Sequence, residues 1–412
     1  MRAIVTFALA LAFAAPALAQ QPTAEVLHWW TSGGEAKALK VIVDRFKAEG
    51  GKYIDNPVAG GGGDAARTVA KTRMLGGKPP TLMQWHLGLS LKQLAEDGLL
   101  GNIEDVAARD GWDKLFPPLI AQNAKVDGKY VAIPVGVHGE NWLWTNPKVF
   151  AAAGAAVPKT WDEFNDAAAK IRAAGFIPLA LGGQDWQETI VFADIVLGVG
   201  GPDLFRDALV KLDDKAYASP KMLDVFAELA KIRAMMDPGA GNRSWNETTS
   251  LVIAGKAAMQ FMGDWAKGEF SAAGMKPGAD FGCVLAPGSG DAYSIAADSF
   301  AVPKVTEPDQ VAGQKLMGKV ILEPEVQRDF SLAKGSVPPR KDVSPEAFDQ
   351  CSRIAMTILR ESPNLLPSLG SGMGVPPAQG GAISDAIAAF FARPMTPEQG
   401  VKTLRDAVAA VR

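Results

Sequence analysis

Along most of the chain, short apolar runs alternate with longer stretches in which apolar residues recur every three or four positions. The first pattern suits strands, whose side chains alternate between two faces, and the second suits helices buried on one side. The spacing predicts strands over 25–29, 81–85, 129–134, 140–145 and 177–181, and helices over 35–49, 64–75, 91–97 and 161–174. In the first of these helices Ala38, Leu39, Ile42, Val43 and Phe46 share one face. Gly98 and Gly175 stop two of the others. Strands that alternate with helices predict an α/β fold with mostly parallel sheets. Two extended, proline-containing segments, 132–136 and 285–290, read as crossovers between two lobes. A chain of 412 residues is longer than one ordinary domain and suits two.

The N-terminus breaks this pattern. Arg2 precedes an apolar run over 4–15, and Ala17-Leu18-Ala19 has the small-residue pattern of a cleavage site. This predicts a signal peptide over 1–19 and a mature chain from Gln20. The run is too short to span a bilayer, and no later stretch reaches 18 apolar residues, so the mature protein is expected to be soluble and exported to the periplasm. In an oxidising compartment the two cysteines, Cys283 and Cys351, fit either one disulfide or two buried thiols.

Charge and motifs exclude more than they assign. A net charge of -3 without basic clusters argues against nucleic acid or an anionic membrane as partner. The glycine run Gly60–Gly63 lacks the spacing of a phosphate loop and reads as a turn that lets backbone approach a ligand closely. Three histidines without clustered partners give no metal site, no G-x-S-x-G elbow is present, and no carboxylate pair stands out for glycoside hydrolysis. No cofactor is expected.

Tryptophan is the informative residue, at ten against four tyrosines. Trp112, Trp144 and Trp161 read as core. The stretch HWWTSGGE, residues 28–35, reads differently: two adjacent indoles end the first strand and lead into hydroxyls and a carboxylate. An indole face matches the apolar C–H face of a pyranose, and Glu35 can accept from two sugar hydroxyls. Adjacent strand residues point to opposite faces, so only one of Trp29 and Trp30 can sit squarely in a site.

HWWTSGGE, VAGGGG (58–63), GKAAMQFMGDWAKGE (255–269), DSFAV (298–302) and KGSVPPR (334–340) together resemble the bacterial family 1 extracellular solute-binding proteins, in particular their glucose/mannose-binding branch. The likeness covers nearly the whole mature chain. It implies a two-lobed periplasmic binding fold of the type II kind, each lobe a mostly parallel sheet flanked by helices, joined by crossovers at a hinge. The expected lobes are 20–134 with 290–338 and 135–289 with 339–412. It implies a monomeric receptor that hands a sugar to the membrane permease of an ABC importer with its cytoplasmic ATPase. By motif, Trp30 and Trp265 are the stacking faces, Trp29 and Glu35 contact hydroxyls, and Asp298 and Lys334 add a carboxylate and an ammonium. The cysteines fall where the branch has a pair, which implies a Cys283–Cys351 disulfide.

The chain departs from that branch in three places. Gln84-Trp85-His86 stands where the branch has a lysine, Ala296 where it has an asparagine, and 367–374, including Ser371, where it has a histidine. The expected ligand-binding set is therefore Trp29, Trp30, Glu35, His86, Trp265, Asp298 and Lys334. A glucose-like sugar is expected, with another hexose, a larger saccharide, a polyol or a sugar acid as alternatives.

Overall fold

The structure, a computed structural model, describes residues 20–412; the expected signal peptide, 1–19, lies outside the described residues. In chain order the strands are β1 (Thr23–His28), β2 (Lys52–Pro57), β3 (Leu82–His86), β4 (Lys125–Val126), β5 (Lys129–Tyr130), β6 (Ala132–Gly139), β7 (Trp142–Thr145), β8 (Ile177–Leu179), β9 (Ala257–Phe261), β10 (Gly282–Leu285), β11 (Tyr293–Ala301) and β12 (Leu365–Pro367).

Two main sheets define two lobes. The first has the order β12-β11-β3-β1-β2, with β6 also paired to β11; the second has the order β10-β7-β9-β8. In the first sheet β1 runs parallel to β2 and β3, as expected for strands returned by helices. β6 and β11 run antiparallel to each other, because one carries the chain out of the first lobe and the other brings it back. The second sheet is less parallel than expected: only β8 and β9 pair in parallel, and β7 is antiparallel to both β9 and β10.

Boundaries moved where turn chemistry intervened. The strand expected over 129–134 divides into β5, half of a short hairpin with β4, and the long crossing strand β6. The second crossing strand is β11, later than expected. Segment 285–290 instead turns through Gly288 and Gly290, whose positive φ of 76° and 60° suits glycine.

Helix α1 (Gly33–Ala48) buries Ala38, Leu39, Ile42 and Phe46, the expected face except for Val43, which is partly exposed. Its start is fixed by a capping box in which the Ser32 hydroxyl accepts from the Glu35 N–H and the Glu35 carboxylate accepts from the Ser32 N–H. One core runs from the first sheet toward the second and contains Trp112 and Trp144; the other surrounds the helices of the second lobe and contains Trp161. Cys283 of β10 is bonded to Cys351 in helix Gln350–Glu361.

Candidate ligand cleft

A cavity of about 580 Å³ opens between the lobes, within the roughly 300–1,000 Å³ usual for small-molecule sites. All seven residues singled out in the sequence line it. Trp29, Trp30, His86 and Trp265 lie at or just beyond strand ends and Asp298 on the crossing strand β11, while Glu35 comes from the first turn of α1 (Gly33–Ala48) and Lys334 from the last turn of helix Pro324–Lys334.

The adjacent tryptophans divide as strand geometry requires. Trp30 is only 2% exposed and packs against Phe300 and Phe330, with ring centroids 5.5 and 5.3 Å away. Trp29 keeps a partly open indole, edge-on to His86 at 5.4 Å, and its backbone N–H donates to Gln84 Oε1. The glycine run supports it. A Cβ on Gly63, which has φ of 98°, would lie 2.6 Å from the Trp29 ring, so only glycine lets this turn pass. Gly62 meets Trp186 at the start of helix Asp185–Leu209 in the same way, which brings first-lobe backbone against the second lobe.

Opposite lie Trp265 and Lys334. The Lys334 ammonium sits 5.9 Å from the Trp30 ring centre and 5.8 Å from that of Trp265, between the two indoles. It is 3.5 Å from Glu35 Oε1. Glu35 thus both caps α1 and faces the cavity. Ser32 and Gly34 turn instead to Glu269, whose Oε1 accepts from the Ser32 hydroxyl at 2.7 Å and the Gly34 N–H at 2.9 Å.

Asp298 is aimed by a local irregularity. The β11–β6 register shifts between Asp298 and Ser299, a bulge of the kind that redirects a side chain beside a site. Its carboxylate lies 3.1 Å from His138 Nε2 and 3.3 Å from His86 Nε2, and accepts from Gln84 at 3.4 Å. His138 is bonded through Nδ1 to Asp264, whose other oxygen accepts from the Gly139 N–H. Burial alone would raise the Asp298 carboxyl, but hydrogen bonds from the two histidines outweigh it and hold the group well below the ordinary carboxylate range. Burial also works against a charged His138; the Asp264 carboxylate overrides it and lifts the imidazole above its usual value. Glu140 at the cavity wall is pushed up to about 7 by burial, so it is largely protonated in mild acid.

The sequence did not single out His138, Asp264, Glu140 or Arg67 as site residues. In sequence His138 is an isolated histidine without clustered metal ligands, and its partners lie more than a hundred positions away. Trp186 and Trp245 also line the cavity.

Two lobes around an aromatic and carboxylate-lined cleft define a solute-binding protein. The chain belongs to the bacterial extracellular solute-binding protein family, whose model matches residues 30–327. It is 41% identical over 396 residues to a probable sugar-binding periplasmic protein of Brucella melitensis, covering 95% of this chain and 93% of the relative. In fold it is similar to a chitin oligosaccharide binding protein, with a TM-score of 0.81 at 20% identity over 95% of this chain and 99% of the other. It is equally similar, with a TM-score of 0.81 at 19% identity over 94% and 98% of the chains, to the bacterial solute receptor AcbH, described as preferring β-D-galactopyranose.

Proposed function

We propose that this protein is the periplasmic receptor of an ABC importer, that it captures a sugar with a glucose-like ring between its lobes, and that it delivers the sugar to the membrane permease. The observation that carries this reading is the convergence of indoles with an ion pair and a buried carboxylate on one cleft. A pyranose needs an apolar platform for its C–H face and charged acceptors and donors for its rim. Trp265 offers the platform, with Trp30 buried behind Lys334. Glu35, Lys334 and Asp298 offer the rim contacts.

The relatives' printed functions support the class of solute, and their variety leaves the ring's identity to experiment. Transport by this route has no covalent step, and the receptor works as a monomer beside its permease and ATPase. The lobes are read as 20–134 with 290–338 and 135–289 with 339–412, except that β12 of the last stretch joins the first sheet beside β11, and β6 and β11 carry the hinge. Closure over the solute follows if the closed arrangement makes contacts the open one lacks.

The test is a thermal-shift panel on mature protein refolded to remove bound solute. A ligand at a hundred times its dissociation constant adds about 2.7 kcal/mol of stability. A shift with glucose or mannose is expected. A shift only with other saccharides keeps the receptor and replaces the ring; no shift with any saccharide overturns the sugar reading.

A further inference from the structure

Beyond the ring contacts just described, a second group of side chains lines the same cavity. The Arg67 guanidinium lies over the rings of Trp29 and Trp85, at 5.3 and 5.9 Å. Trp85 donates its indole N–H to Ser90, and Ser90 abuts Gly372, next to Ser371. His86 joins this group to Asp298.

Three polar atoms here are buried and have no hydrogen-bond partner among the described residues: Arg67 Nη1, His86 Nδ1 and Ser371 Oγ. A buried polar atom left unpaired is unfavourable, because it has given up water without a replacement partner. Three of them lining one cavity, apart from the Trp265–Lys334–Glu35 contacts, mark a place that a solute satisfies. Helix Pro377–Ala392, which also lines the cavity, has no side chain at the exposed Gly381, where an added Cβ would meet nothing within 4 Å. The wall is therefore open to a bulky group.

The charges favour a neutral group. Arg67 is already paired with Asp64 at 2.5 Å, and neighbouring Lys71 with Asp97 at 3.2 Å. The free positions are hydrogen-bonding atoms beside an indole, which suits hydroxyls and ring oxygens rather than a carboxylate.

We propose that this region is a second sugar subsite and that the solute is at least a disaccharide, its second ring lying against Trp29 and hydrogen-bonded to Arg67, His86 and Ser371. This rests on the sugar reading above.

The experiment is titration calorimetry of ligand-stripped protein with glucose, mannose, galactose and xylose, and with maltose, cellobiose, gentiobiose, trehalose and melibiose. Two variants are titrated alongside. Gly381→Leu fills the open wall and suits a helix better than glycine does; Arg67→Met removes the guanidinium and keeps its bulk. At least one disaccharide is expected to bind tenfold or more tighter than its component monosaccharide, and each variant to lower that ratio at least fivefold. If a monosaccharide binds as tightly as every disaccharide, or the ratio is unmoved in both variants, the second subsite is overturned while the sugar receptor stands. If no saccharide binds, both readings fall.

Discussion

Asp298 on β11 is paired in register with His86 on β3, and its Oδ1 lies 3.3 Å from the imidazole Nε2 while its Oδ2 lies 3.1 Å from His138. One buried carboxylate therefore ties the first sheet to a crossing strand at the cleft. Its acceptor capacity is partly used by the protein, which fixes its orientation before a sugar arrives. Asp298→Asn removes the charge and leaves His138 facing Asp264 alone. It is expected to weaken sugar binding at least tenfold and to cost about 3 kcal/mol of stability, the scale for breaking a buried ion pair. Urea unfolding and calorimetric titration of the same preparation separate the two effects.

The two stacking candidates predict different phenotypes. Trp30 is packed between phenylalanines, so Trp30→Ala opens a cavity and is expected to cost about 3–5 kcal/mol of stability along with affinity. Trp265 keeps a partly open ring at the cleft. Trp265→Ala is expected to lose affinity at least tenfold with a much smaller drop in melting temperature. Equal loss of stability in both variants would place Trp265 in the core instead.

Much of this was legible in the sequence because local rules acted alone. The α1 face follows its apolar spacing, its start follows Ser32 and Glu35, and the adjacent tryptophans divide by strand alternation. The seven candidate residues came from motifs, and they line one cavity. What the sequence concealed depends on long-range register. His138 gains meaning only when β6 brings it beside Asp298 and the loop after β9 supplies Asp264. The antiparallel second sheet and the late start of β11 also depend on how distant segments pair and turn, which apolar spacing does not encode.

Stability is expected to fall as pH rises from mild acid. Burial lifts Glu140 to about 7, and burial with the nearby Asp185 charge lifts Glu188 to about 8. In the unfolded chain both titrate near the ordinary 4.5. Between those values the folded protein holds more protons, so stability declines with rising pH and levels off above the folded values. His138, raised in the fold, acts in the same direction. Asp298, depressed, acts the other way and loses its contribution only in strong acid. Glu140→Gln should remove about 3 kcal/mol of the decline between pH 5 and 8; an unchanged decline in the variant would show that Glu140 is ionised in the fold.

The disulfide joins residues 68 positions apart. Closing a loop of that length restricts the unfolded chain by about 4 kcal/mol in the entropic model. Replacing both cysteines with serine is expected to lower the melting temperature while leaving sugar affinity within twofold, because neither cysteine lines the cleft. Differential scanning calorimetry with a parallel sugar titration checks both parts.

The most direct measurement is titration calorimetry of ligand-stripped wild-type protein and Trp265→Ala with the saccharide that gives the largest thermal shift. A sugar receptor should show saturable one-to-one binding in the micromolar range, about −8 kcal/mol, with Trp265→Ala weaker by at least tenfold. Binding that is unchanged in Trp265→Ala, or no heat from any saccharide, would contradict it.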